Sequence, residues 1–193
     1  MRKRHTSDVF PIREGARQFI DRWRRKNPGK YDLAPRIHEA IPKDIRPKEF
    51  SVDDLWKQID QKGIDFWRDI DRYPWTDDLW RGCKAIAGDD VFISSSPTRS
   101  ADSVAGKAAW LREEFSIGPN RYMLGSRKDL LAAPDRVLVD DADKNVEAFR
   151  DAGGHAILFP GPWNANHERI GVELAWTMAE LGRIGAEIAA SKK

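Results

Sequence analysis

From about residue 88 the chain alternates short apolar runs with amphipathic helices, and that alternation restricts its fold more than any other property. Val91–Ser94 is a short apolar strand. A helix over Ala101–Phe115 follows, with Val104, Ala108, Leu111 and Phe115 on one face at helical spacing. Tyr122–Leu124 and Arg136–Val139 read as the second and third strands. Asp143–Ala152 reads as a helix stopped by Gly153 and Gly154, a common C-terminal signal. His155–Phe159 is a fourth strand closed by Pro160. One long helix runs from about His167 to Ala190, striped by Ile170, Leu174, Met178, Leu181, Ile184 and Ile188. Strands near 91–95, 121–124, 136–140 and 155–159, separated by helices, predict an α/β fold: one parallel sheet covered on both faces.

Before residue 88 the sequence reads as helical and rich in Trp and Arg. Ala16, Phe19, Ile20 and Trp23 have helical spacing. Ser51 suits the N-cap of a helix through Leu55, Trp56 and Ile59. Gly63 breaks that pattern, and Ile64, Phe66, Trp67 and Ile70 follow. Pro74 opens another helix near Thr76, with Leu79, Trp80, Cys83 and Ile86 along one side. The 193 residues suffice for one well-filled core, or for a core with a small insertion.

The net charge of +2 gives no general argument for nucleic acid as a partner. Its basic residues are local: Arg2, Lys3 and Arg4, then Arg22, Arg24, Arg25, Lys26 and Lys30. Such clusters are usually solvated helix faces; attraction for phosphate, and with it a nucleic-acid-associated protein, is the lesser reading. The single cysteine, Cys83, excludes an internal disulfide and reads as a small buried hydrophobe. No apolar run approaches the roughly 20 residues of a membrane span, and the basic start has no apolar segment after it. A cytoplasmic protein without a membrane partner is expected.

Three strand ends carry polar clusters, and in open parallel sheets ligands bind beyond the carboxyl ends of strands. Ser94-Ser95-Ser96-Pro97 follows Val91-Phe92-Ile93. Hydroxyls and backbone N–H groups at such a junction suit a phosphate, although serine also supplies turns and caps everywhere. Gly125-Ser126-Arg127-Lys128 follows Tyr122-Met123-Leu124. Lys128 suits a phosphoryl oxygen, although exposure is the ordinary state of a lysine. Asp140-Asp141 follows Val137-Leu138-Val139. Adjacent carboxylates at the end of a buried strand are costly unless paired or metal-bound, and Mg²⁺ is held by one or two carboxylates plus substrate phosphate. The competing reading is a turn, with Asp143 capping the next helix.

Hydroxyl, lysine and paired aspartates, each after a strand, is the order of motifs II, III and IV in haloacid dehalogenase phosphatases. Phe66-Trp67, Tyr73-Pro74-Trp75, Phe92-Ile93-Ser94-Ser95-Ser96-Pro97, Gly106-Lys107 with Trp110, and Val139-Asp140-Asp141 together resemble the 5′(3′)-deoxyribonucleotidase branch. Asp140-Asp141-Ala142-Asp143-Lys144-Asn145, Gly153-Gly154 and Phe159-Pro160-Gly161-Pro162-Trp163-Asn164 resemble its bacterial and phage members. The likeness covers roughly residues 60–165.

The resemblance implies a Rossmann-like core over residues 81–193, a small helical cap over 14–80, and a basic start, 1–13, where the first core strand belongs. It implies Mg²⁺-dependent removal of phosphate from a (deoxy)nucleoside monophosphate or another small phosphate ester. Ser95 would bond the phosphoryl group with Ser96 beside it, Lys107 would help hold the phosphate, and Lys128 would neutralise charge on the nucleophile and the transferred group. Asp140 would bind Mg²⁺ with support from Asp141, and Phe66, Trp67 and Trp75 would belong to the cap over the nucleotide. Motif I of the family, Asp-x-Asp-Gly, supplies the nucleophile and the general acid–base. Its expected place near Arg4–Ser7 reads Arg4-His5-Thr6-Ser7, and Asp8 has no partner at the needed spacing. In the family that motif ends the central strand, between the strands bearing motifs II and IV. The alternative to a phosphatase is therefore a non-catalytic phosphate- or nucleotide-binding or assembly protein that keeps the pocket. A second chain supplying the strand, in a homo-oligomer, is among the ways to complete the sheet.

Overall fold

The computed structural model describes residues 52–70, 72–161 and 164–192, with side chains from Ile59 onward. The expected helix through Ala16–Trp23, both basic clusters, the Ser51 cap, the side chains of Leu55 and Trp56, the Arg4–Ser7 region, Asp8–Phe10, Pro162-Trp163 and most of the 14–80 segment lie outside the described residues. The chain falls into two units. Everything below concerns the one made of Gly63–Gly161 and Ala165–Lys193, apart from the first part of α1, which belongs to the other.

The elements are α1 (Val52–Arg68), α2 (Thr76–Ala87), β1 (Ile93–Ser95), α3 (Ala101–Phe115), β2 (Tyr122–Leu124), β3 (Val137–Asp140), α4 (Asp143–Asp151), β4 (His155–Leu158) and α5 (Glu173–Ser191). Short 3₁₀ turns lie at Pro119–Arg121, Lys128–Leu131 and His167–Arg169. The fold class is α/β, and element order follows the sequence reading closely. Gly63 breaks α1, as its spacing predicts, by taking φ 60 and ψ −143, a conformation costly for any residue with a Cβ.

Where one four-stranded parallel sheet was expected, the described residues form two small parallel pairs, β1 with β2 and β3 with β4. Ile93 faces Tyr122 in the first, and Val137 faces His155 in the second. The ladders are only three and four residues long, and no described strand joins β1 to β3. The first strand of the resembled family belongs at that place, and its expected residues are outside the described segments.

The β3–β4 pair shows why the sequence alternates as it does. Successive side chains on a strand point to opposite faces. Leu138, Ala156 and Leu158 pack with Val146 and Phe149 of α4. Val137, Val139 and Ile157 pack instead with Leu181, Ile184 and Met178 of α5, where Cys83 of α2 joins them. Helices cover both faces, so the strands read as near-continuous apolar runs. Burial pushes the Cys83 thiol up from its ordinary pKa, in keeping with a packing residue.

Two helices differ from expectation. The C-terminal helix begins at Glu173, not near His167, because Gly171 takes φ 96; Ile170 is thereby left exposed. In α3, Leu111 is buried as expected, but Val104 is exposed while Ser103 and Gly106 are buried. The inner face of α3 is set by two local needs. The Ser103 hydroxyl accepts from the Thr98 N–H at 2.9 Å, tying down the loop after β1. Gly106 lets α1 approach: a Cβ there would lie 2.5 Å from Trp67 Cβ and 2.6 Å from the Ile64 carbonyl oxygen. Backbone cannot yield as a side-chain tip can. Gly106→Ala is therefore expected to destabilise the protein by about 1–3 kcal/mol, read as a lowered melting temperature by circular dichroism. An unchanged melt would show that α1 and α3 tolerate a wider spacing.

Candidate active site

The carboxyl ends of β1 and β3 each organise a cluster around a lysine. At the first, Lys107 reaches back from the second turn of α3. Its ammonium donates to Ser95 Oγ at 3.0 Å and to the Ser96 carbonyl oxygen at 2.7 Å. The same Nζ lies 5.0 Å from the centroid of the Trp67 ring, a favourable place for a cation. Trp67 is itself buried under Gly106 and meets Phe66 edge-on at 5.0 Å. Ser94 faces away from Ser95, as strand alternation requires, and its buried hydroxyl has no partner among the described residues.

At the second cluster Lys128 donates to Asp140 Oδ2 in a buried ion pair. The side chains are 9 % and 3 % exposed, so this pair lies in the interior rather than on the surface. Asp140 Oδ1 accepts from the Ala142 backbone N–H and from Asn145 Nδ2, both at 2.9 Å. The Asp140 carboxylate is thus held from both sides. Asp141 follows half-buried at the strand end. Arg127, beside Lys128, is turned to the surface and bonds Asp129, whose carboxyl it holds below the usual carboxylate range.

A backbone contact links the clusters: the Gly125 N–H donates to the Ser95 carbonyl oxygen at 3.0 Å, so the loop leading to Lys128 begins against the end of β1. Aromatic rings extend the second cluster. The Phe159 N–H donates to the Asp140 carbonyl oxygen at 2.8 Å. Trp75 lies 4.4 Å from the Phe159 ring and is stacked on Tyr73 at 4.9 Å.

The residues singled out from sequence therefore fall into linked groups. Ser95, Ser96 and Lys107 are in direct contact, as are Lys128 and Asp140, and Trp75 reaches the second group through Phe159. Phe66 and Trp67 lie on the Lys107 side, where the buried Trp67 supports the lysine more than it offers a free ring. Two participants were not singled out by role: Asn145, which bonds Asp140, and Phe159, which meets Trp75. The signal for Asn145 was the spacing, since the first turn of a helix that starts three residues after a strand-end carboxylate can reach back to it. Phe159 gave no signal beyond its place at a strand end.

Among the described residues no group of three or more His, Cys, Asp or Glu is placed to hold a metal ion. What Asp140 and Asp141 offer is a hard, oxygen-only set of two carboxylates. Two carboxylates are the donor type Mg²⁺ takes together with waters and substrate phosphate, and here Asp140 Oδ2 is already held by the Lys128 ammonium. No helix among the described residues is long and apolar enough to cross a membrane.

Comparison with known proteins shows the family. Residues 16–181 match the family model described as 5′ nucleotidase, deoxy (pyrimidine), cytosolic type C protein. Proteins named 5′(3′)-deoxyribonucleotidase from Bacillus subtilis (strain 168) and from Bacillus phage SPbeta are each 29 % identical over 115 residues. That stretch is 53 % of this chain and 64 % of each relative, so the chain spans less than two thirds of their length. No solved structure matches. The match to the family model extends over most of the sequence, and with the motif order at the strand ends it places the chain in the haloacid dehalogenase superfamily, as a member of this deoxyribonucleotidase family.

Proposed function

We propose that this chain carries the phosphate-handling part of a Mg²⁺-dependent 5′-nucleotidase acting on (deoxy)nucleoside monophosphates. The observation that carries the reading is the Lys107 ammonium held on Ser95 Oγ and the Ser96 carbonyl at the end of β1, beside the loop that delivers Lys128 to Asp140. A phosphate at this edge meets two ammonium groups and two serines, a charge-assisted set suited to its oxygens. In this reading Ser95 and Ser96 orient the phosphoryl group, Lys107 anchors it, and Lys128 neutralises charge that develops during transfer. Asp140 and Asp141 would hold Mg²⁺, which when bound supplies further charge neutralisation at the phosphoryl oxygens. In this reading Phe66, Trp67 and Trp75 would belong to the cap over the nucleoside, Trp67 by supporting Lys107 from below. A single Rossmann-like sheet, completed by a strand between β1 and β3, belongs to the same proposal, as does the cap over residues 14–80.

Calorimetry tests the anchor. Deoxynucleoside monophosphate and inorganic phosphate are expected to bind wild type, and Lys107→Ala to weaken both by about tenfold or more, the scale of a lost charge-assisted bond. Equal affinity in both proteins removes Lys107 from the site. Phosphate binding kept without any turnover, even in the intact family context, would instead favour the non-catalytic binding protein.

A further inference from the structure

We infer that the protein carries a second ligand site, at the amino-terminal ends of β1 and β2, for a flat aromatic ring bearing one carboxylate. A cavity of about 280 Å³ lies there, at the small end of the range for small-molecule sites. Val91 leads into β1 and Arg121 into β2, and the two strands are parallel. The cavity is therefore at the opposite end of the pair from Ser95. Trp80, Val91 and Ile117 supply its apolar lining, and Lys84, Asp89 and Arg121 its charges.

These charges are loosely committed. Lys84 Nζ lies 3.7 Å from Asp89 Oδ1 and the Arg121 guanidinium 4.0 Å from the same atom, and the Asp89 side chain is 81 % exposed. Elsewhere on the surface Arg127, Arg169 and Arg183 each hold a carboxylate at 2.6 Å. Neither Lys84 nor Arg121 has a side-chain hydrogen bond among the described residues; Arg121 lies over the exposed Phe92 ring at 5.9 Å. Two cations thus face a single carboxylate. A helix end alone accounts for Lys84, in the last turn of α2, but not for the second cation, brought from the turn before β2. α2 and α3 both end beside the cavity, at Ala87 and Phe115, and helix C-termini carry partial negative charge. This setting accepts a monoanion and disfavours the double charge of a phosphate monoester. The Trp80 indole, braced edge-on by Phe115 at 5.4 Å, is the part of the lining against which a ligand ring would pack.

The test is calorimetric titration of the full chain with cinnamate, and with cinnamyl alcohol as its uncharged counterpart. Wild type is expected to bind cinnamate, and to bind the alcohol about tenfold or more weakly. Lys84→Ala and Arg121→Ala should each weaken cinnamate about tenfold, the scale of a lost charge-assisted bond. Both side chains are partly exposed, where such changes rarely prevent folding. Arg81→Ala, whose guanidinium holds Asp78 outside the cavity, should leave the affinity unchanged. Lys107→Ala should also bind cinnamate as wild type does, whatever becomes of its phosphate affinity, which separates this site from the strand-end cluster. Absence of cinnamate binding by wild type overturns the inference, as does equal affinity for the alcohol. So does undiminished binding in Lys84→Ala or in Arg121→Ala. Loss of cinnamate binding in Lys107→Ala would place the probe at the strand-end cluster and overturn it equally.

Discussion

Turnover of p-nitrophenyl phosphate or of deoxynucleoside monophosphates by this 193-residue chain with Mg²⁺ is expected to lie on the order of a millionfold below that of a relative carrying Asp-x-Asp-Gly, the scale of losing a covalent nucleophile. Three observations combine. The expected place of the nucleophile reads Arg4-His5-Thr6-Ser7. Asp8 is followed by Val9-Phe10-Pro11 and not by a Gly-containing turn. Asp140, at the end of β3, is committed to the Ala142 N–H, Asn145 and Lys128, which leaves it little freedom to attack phosphorus. In the proposed reading Lys107 and Lys128 would still stabilise charge, but with no carboxylate nucleophile water would have to attack unaided. Asp140→Asn serves as the control for contaminating phosphatase. Robust turnover abolished by that substitution would mean that another nucleophile exists in the chain. Turnover that appears only when a segment bearing Asp-x-Asp-Gly is joined ahead of residue 1 would assign the missing step to that segment.

Lys128→Ala should be the most destabilising single change at the site. It leaves the Asp140 carboxylate, 3 % exposed, without its counter-charge. Removing one partner of a buried pair typically costs about 3–5 kcal/mol, far more than the pair is worth against a neutral replacement of both groups. The two N–H donors on Oδ1 soften the loss, so the lower end of that range applies. For a chain of this size it corresponds to a fall in melting temperature of roughly 10 °C. Lys128→Met combined with Asp140→Asn removes both charges and is expected to recover most of the loss. Thermal melts of wild type, Lys128→Met, Asp140→Asn and the double variant form the cycle. A Lys128→Ala protein as stable as wild type would show the ion pair to be solvated. Separate phosphate titrations of the folded variants distinguish this stability effect from loss of the site, because the double variant should be stable and still bind phosphate poorly.

Much of this architecture was legible because the signals are local. The helix Ala101–Phe115 and the strand Tyr122–Leu124 form over the residues expected, since apolar periodicity reports burial directly. The order of Ser95, Lys128 and Asp140 after three strands was likewise visible, and two of them, Lys128 and Asp140, meet directly. The misread face of α3 has a clear cause. Val104 was placed inward by spacing, yet Gly106 and Ser103 occupy the inner face of α3, because what lies opposite is Trp67 and a loop N–H. Spacing states which residues share a face; it does not state what that face meets.

The sequence by itself determined the helices and strands, the α/β class and the residue types gathered at the strand ends, because each depends on the order of apolar and polar groups along a few turns. Only the tertiary structure decided how those groups are committed. It directs the Lys107 ammonium to Ser95 Oγ and the Ser96 carbonyl rather than to solvent. It buries Lys128 against Asp140, and it turns Asn145 back onto the second carboxylate oxygen. Among the described strands it pairs β1 with β2 and β3 with β4. A buried charge must find its partner in space, and a strand its neighbour, among residues distant in the chain, so neither choice is encoded in any local window.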